Sequence, residues 1–372
     1  MIKPSVEYRA IYDSNIYRLK DKDSFKDKGL ELDQLYDYIH NISARVDIEY
    51  PVSKQKLDFT YKKDFMFFSH YASEDFQEEE ISGGVSLNVL DMITGRLYGG
   101  YQRKAQSRQD YRSKERVFQD TDTVGGFLDY RYILGWGIRG GYVRKENGYS
   151  PDKYKTSERV TQDYSGNIYY SPSPVYKVFA KFLNRDIDYV NETSRRGDNA
   201  ERAVSGGIDY KVAGRIILYL DAGYKWKRYN ELKYQNRDYD GPVWGVGIDY
   251  YITSKLLWSG QMDRDVREEI FQDQIYSEVD SWHVSFRYHI TDKINTIVGG
   301  GRKRYSYKKG DISIPFIQER KDDMWSASVQ LLYLPVKAIS ISLSYSYSSR
   351  DSNKDSYVFD AQQVGAGIAF RY

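Results

Sequence analysis

Cysteine is absent from the 372 residues, histidine occurs four times and proline eight times. Without cysteine there is no disulfide scaffold, no thiol nucleophile and no thiolate metal site, and the chain suits passage through an oxidising compartment. Long apolar runs are also missing: none approaches the roughly 20 residues that a membrane-spanning helix needs. A large charge of one sign is lacking too. The formal net charge is +2, which argues against nucleic acid as a partner. No glycine-rich loop followed by lysine is present to cradle a phosphate. The opening Met1-Ile2-Lys3-Pro4 has no apolar segment behind its basic residue, so it is not a signal peptide. On a membrane reading, the expectation is a mature chain with its export signal removed.

Aromatic residues and glycine are what the chain has in quantity, with 38 tyrosines, 6 tryptophans and 29 glycines. Mean hydropathy is −0.70, a value that looks soluble until the pattern is examined. From Ile339 to Ser348 the sequence reads Ile-Ser-Ile-Ser-Leu-Ser-Tyr-Ser-Tyr-Ser. A β-strand points successive side chains to opposite faces, so this stretch has one apolar face and one wet face. A soluble sheet would bury the apolar face, whereas an outer-membrane barrel would turn it to lipid. Barrel strands alternate and so escape hydropathy plots, and in lipid only a closed barrel satisfies a strand's backbone.

Two kinds of connection alternate along the chain. Short turns occur at Pro51–Lys54, Asp91–Gly95, Leu134–Trp136, Ser171–Pro174, Ala213–Arg215, Thr253–Lys255, Thr291–Lys293 and Leu334–Lys337. Longer polar stretches lie at Arg18–Gln34, Tyr71–Glu78, Ser107–Gln119, Asn147–Arg159, Asn191–Ala200, Asn230–Asp240, Arg267–Ile275, Lys309–Arg320 and Arg350–Ser356. Eight turns and nine loops imply about 18 strands, an even number with both termini on the short-turn side. The expectation is a single all-β domain over 1–372, an antiparallel up-and-down barrel with short periplasmic turns and longer outside loops. A soluble propeller would show a blade signature, and none is present.

The two faces differ in chemistry. Ile42, Ala44, Val46, Ile48 and Tyr50 alternate with Asn41, Ser43, Arg45, Asp47 and Glu49, and five further strands behave alike. Strands at 56–71 and 176–186 alternate less cleanly. Aromatics gather toward strand ends, as at Tyr50, Trp136, Tyr142, Trp226 and Tyr333. The polar face carries full charges in mid-strand. A barrel of this size leaves an aqueous channel, which keeps such charges hydrated. The candidate lumen residues are Arg9, Arg45, Asp47, Glu49, Asp129, Arg131, Asp209, Lys211, Asp221, Lys225, Lys227, Asp249, His283, Arg287 and Arg371. Their mixed signs predict weak ion selectivity. Tyr219 and Tyr251 fall on the same face and are candidates for stacking on sugar rings. The charge-rich segments Lys20–Lys28 and Arg195–Arg202 are candidates to fold over the mouth. The triple glycine Gly299–Gly301 inside a strand pattern predicts bending or close packing.

The C-terminus ends in an alternating set, Ile368, Phe370 and Tyr372, two residues after Gly365-Ala366 begins it. This resembles the β-signal read by the outer-membrane barrel assembly machinery. The first strand, Pro4 to Tyr17 with its Asp13-Ser14-Asn15-Ile16 corner, resembles the opening of the β-barrel porin 2 group, as do the glycine-rich strands from Ser82-Gly83-Gly84-Val85. The resemblance implies an outer-membrane conduit that exports an exopolysaccharide or capsule polymer in Gram-negative bacteria. It also implies a periplasmic polysaccharide-export protein and the polysaccharide itself as partners, besides outer-membrane lipid. Alternatives are a general or small-solute diffusion porin, and a barrel sheath for an electron-transfer protein.

Enzymatic readings have little to stand on. His283 and His289 share a face but lie six residues apart, roughly 20 Å along a strand, too far for one metal ion. Ser285 with His283 and Asp280 is the one constellation that suggests an outer-membrane hydrolase. No cofactor, metal or catalytic residue is expected.

Overall fold

The computed structural model describes residues 1–23, 32–90, 92–108, 115–132, 134–191, 197–231, 238–268, 274–309 and 319–372. Eighteen antiparallel strands form one sheet. They are β1 (Ile2–Asp13), β2 (Asp37–Val52), β3 (Gln55–Phe68), β4 (Phe76–Val89), β5 (Ile93–Ala105) and β6 (Phe118–Arg131). Next come β7 (Trp136–Ser150), β8 (Arg159–Ser173), β9 (Tyr176–Tyr189), β10 (Asn199–Val212), β11 (Ile216–Tyr229) and β12 (Tyr239–Tyr251). The last six are β13 (Leu256–Glu268), β14 (Gln274–His289), β15 (Ile294–Lys309), β16 (Lys321–Val336), β17 (Ile339–Ser352) and β18 (Phe359–Arg371). Each pairs with its neighbours in sequence, and β1 pairs with β18 from Ser5↔Arg371 to Asp13↔Gln363. The sheet therefore closes on itself, as the eighteen-strand pattern predicts, and both termini lie at the short-turn end.

Hairpin geometry explains the short turns. Ala213 and Gly214 both take positive φ, +49° and +70°, and the Arg215 amide donates to the Val212 carbonyl at 3.1 Å. Two left-handed residues in succession match the twist of the flanking strands. At the other end the strands run further than the polar composition suggests. β7 continues to Ser150, β14 begins at Gln274 and β17 ends at Ser352, inside stretches expected to be loop. With about 14 residues per strand tilted near 40°, the wall stands about 35 Å tall, against about 25 Å of apolar band. The excess projects on the loop side, where backbone pairing continues whatever the side chains are.

The register assigns the faces. On the outer face Leu343 lies between Leu331 and Ala366, and Val329 pairs with Tyr345. Phe286 and Val298 pair there as well, as do Leu220 and Val246. Aromatic rows border this apolar zone. Tyr50, Trp136, Tyr210, Tyr288 and Tyr333 stand near the turns, while Tyr142, Tyr164, Tyr224, Trp282 and Trp325 stand toward the loops. Such girdles mark the two membrane–water interfaces. At and beyond the upper row the outer face carries charge, a feature the alternation does not announce: Arg144, Arg264, Arg302, Arg304, Asp280 and Asp323 all point outward. Arg264 donates to Glu278 at 2.8 Å and Arg302 grips Asp323 with two nitrogens. These pairs sit at the loop-side aromatic row or above it.

The inner wall is shaped by glycines where neighbours crowd. A Cβ on Gly207 would lie 2.1 Å from the Leu220 carbonyl oxygen and 2.5 Å from the Phe179 ring. Gly207→Ala is expected to destabilise the barrel by about 1–3 kcal/mol through overpacking. A lowered urea midpoint for the protein folded in lipid vesicles checks this.

The buried clusters lie at the loop-side end. Ile16, Tyr17, Leu19, Leu32 and Phe68 form one, against Ile39, Met66 and Phe76. Beside it Glu74 accepts from Arg116 at 2.7 Å and from Arg108. Burial, and then the Glu74 carboxylate, push the Tyr17 hydroxyl well above its ordinary pKa. First-loop residues are thus fastened to the inner end of the wall. Residues 24–28 and 195–196 of the segments expected over the mouth lie outside the described residues. Arg202 belongs instead to β10, where it faces outward and donates to Asn184 at 3.2 Å.

Candidate functional site: the inner wall

Eighteen strands about 4.8 Å apart and tilted near 40° give a backbone diameter of about 35 Å. The face turned to that space is opposite in parity to Leu343, Val298 and Leu220. Arg9, Arg45, Asp47, Glu49, Asp129 and Arg131 lie on it by register. So do Asp209, Lys211, Asp221, Asp249, His283, Arg287 and Arg371. Tyr219 and Tyr251 share it, and Tyr219 donates to Asp249 at 3.5 Å.

Lys225 and Lys227 have the same parity but no open lumen before them. Lys225 is buried against Asp265 on β13, reaching past Gly241, which has no side chain to block it. Lys227 is 0% exposed between Glu201, at 3.2 Å, and Glu268. Alternation fixes the face of a side chain and not the neighbours that cover it, so these two belong to the loop-side wall rather than to the water path.

Many inner cations meet a carboxylate. Arg45 donates to Asp47 at 2.7 Å, Lys62 to Asp64 at 2.6 Å and Arg96 to Asp58 at 2.6 Å. Arg185 donates to Asp163 at 2.6 Å, and Lys181 lies 3.1 Å from Asp221. Glu49 near the turns is within 3.0 Å of Lys56 and 3.4 Å of Lys3. Tyr169 donates to Asp129 at 2.6 Å and Ser259 to Asp249 at 2.6 Å. Paired charges of both signs give a wall that is hydrophilic without a strong field of one sign. Through the middle of β16 and β17 the wall is instead neutral, with Ser326, Ser328, Ser344, Ser346 and Ser348 on the inner face.

The hydrolase constellation does not assemble. Asp280 stands on the outer face opposite Arg264 and Arg304, while His283 and Ser285 face inward. Its Oδ1 lies 3.8 Å from Arg264. An offset of three residues puts the acid through the wall from the histidine, and the spacing already held that signal. Among the described residues no group of three or more His, Cys, Asp or Glu is arranged to hold a metal ion. At the C-terminus Ile368 and Phe370 face outward and Gly365 inward, while Tyr372 is fully exposed.

No family model matches the chain, and no curated protein matches it. Solved structures do. OccAB3 of Acinetobacter baumannii superposes at a TM-score of 0.56 with 9% identity, over 100% of this chain and 99% of that one. OccK2 (OpdF) of Pseudomonas aeruginosa gives 0.55 with 10% identity, over 100% and 98%. OpdK of the same organism, crystallised with vanillate, gives 0.53 with 10% identity, over 100% and 98%. Identity this low speaks for the fold alone. That fold is the closed eighteen-strand barrel of outer-membrane porins, and its apolar outer band between aromatic rows places the chain in a bacterial outer membrane.

Proposed function

We propose that the protein is a passive diffusion channel for small hydrophilic solutes, with weak ion selectivity. The observation that carries this is the inner wall, which bears charged and hydroxyl side chains from turn end to loop end inside a closed apolar shell. Such a wall keeps a water path and excludes lipid, and the work needs no catalytic group. The solved relatives in fold support it, and OpdK is one of them bound to a small organic solute. The pairing of Arg45 with Asp47, Lys62 with Asp64 and Arg185 with Asp163 leaves little net field to select one ion sign.

A second reading, a conduit for a secreted polysaccharide, draws on the serine-lined wall of β16 and β17 and on the barrel's width. It needs a periplasmic export partner, and the resemblance at the first strand is its other support. Single-channel recording of the refolded protein in a planar bilayer tests both. Diffusion of small solutes predicts large ohmic steps, a reversal potential near zero in a salt gradient, and indifference to added polysaccharide. One-sided block by the polymer would favour the conduit. Absence of steps from a folded protein would sink the open-channel reading.

A further inference from the structure

We propose that the inner wall between β13 and β17 holds a binding station for an acidic sugar, a polyhydroxylated solute bearing one anionic group. This deepens the channel reading and rests on it.

A cavity of about 450 Å³ opens in the wall there, lined by Arg267, His283 and Lys303 and by Gln261, Ser326 and Ser348 among others. Its size falls within the roughly 300–1,000 Å³ of small-molecule sites. Gly301 makes the notch. A Cβ there would meet the Trp282 carbonyl at 2.6 Å and His283 Nδ1 at 3.4 Å, so its bareness leaves the floor open between the His283 and Lys303 side chains.

The cations of this recess differ from the ion-paired ones elsewhere on the inner wall. Arg45, Lys62, Arg96, Lys181 and Arg185 each have a carboxylate within 3.1 Å. Arg267 and Lys303 have none within ion-pair distance among the described residues. The one carboxylate lining the cavity, Asp263, instead accepts the Ser281 hydroxyl at 2.5 Å. Two unneutralised cations and an imidazole thus face one hydrated recess. An arginine and a lysine there suit a carboxylate or phosphate. The rest of the lining includes hydroxyls and an amide, donors and acceptors in the mixture that sugar hydroxyls need. An apolar aromatic acid would use the cations and leave those groups unmatched.

The test is current recording through the refolded protein with glucuronate, glucose 6-phosphate, glucose or benzoate added at constant ionic strength. The two acidic sugars are expected to interrupt the current at about tenfold lower concentration than glucose or benzoate. Lys303→Met and Arg267→Met are each expected to weaken glucuronate block at least about fivefold. Equal block by benzoate and glucuronate, or unchanged block in both variants, overturns the proposal while leaving the channel intact. Should no conductance be seen at all, the channel reading fails. Calorimetric titration of the folded protein with glucuronate then decides the station: heat that Lys303→Met removes supports it, and no heat overturns it.

Discussion

Replacing Lys227 with methionine is expected to cost the barrel about 3–5 kcal/mol. The ammonium is 0% exposed, within 3.2 Å of Glu201 and bonded to Glu268, and it lies 5.4 Å from the centre of the Tyr229 ring. Methionine fills much of the same volume and removes only the charge. Two carboxylates, 3% and 8% exposed, would then be left in low dielectric without their shared cation. Arg185 at 3.6 Å from Glu201, and the Tyr189 hydroxyl donating to Glu268 at 2.6 Å, soften the loss without cancelling it. Urea unfolding in lipid vesicles, followed by tryptophan fluorescence, reads the change. Adding Glu201→Gln to the same variant should recover part of the stability, because one of the orphaned charges is gone. A single variant as stable as the parent would mean that water reaches the cluster.

The second large effect concerns the outer face. Leu343→Arg is expected to destabilise the protein by about 2–4 kcal/mol, the cost of a guanidinium near the middle of a bilayer. Leu343 is 53% exposed and is flanked on its own face by Leu331 and Ala366. Ser344→Arg, one residue on, should change stability by less than about 1 kcal/mol, since that position faces water in the lumen. Equal penalties at the two sites would contradict the assignment of faces across β17, and with it the whole parity of the wall.

What the sequence disclosed was local. The Ile339–Ser348 alternation sets which side chains share a face, and pairing in sequence order carries that parity around all eighteen strands. Turn residues such as Ala213-Gly214 locate the hairpins because their positive φ demands it. The loop-side ends were harder to see. There the strands stand clear of the membrane, so polar residues such as Asn147, Gly148 and Asp351 pair as well as apolar ones. The burial of Lys225 and Lys227 depends on carboxylates about forty positions away, on β13, which no window of sequence contains. The recess at Gly301 had a visible sign, three glycines in a row, yet its lining comes from β13 to β17. A reading confined to one strand sees room for packing there and not a place for a solute.

The seam between β1 and β18 governs how such a barrel can come into being. Gln363 reaches Asp13 across it at 2.7 Å, joining positions 350 apart in the chain. Bringing such distant segments together costs about 5 kcal/mol of loop-closure entropy in a free chain. Every other strand can pair with a neighbour soon after it is made, but this joint waits for the last residues to arrive. Until then the sheet has two open edges, each ready to pair with the wrong strand. Contacts of such long range fold slowly. Once the seam is zipped, no edge is left from which unravelling can begin, so the step that delays folding also protects the finished wall.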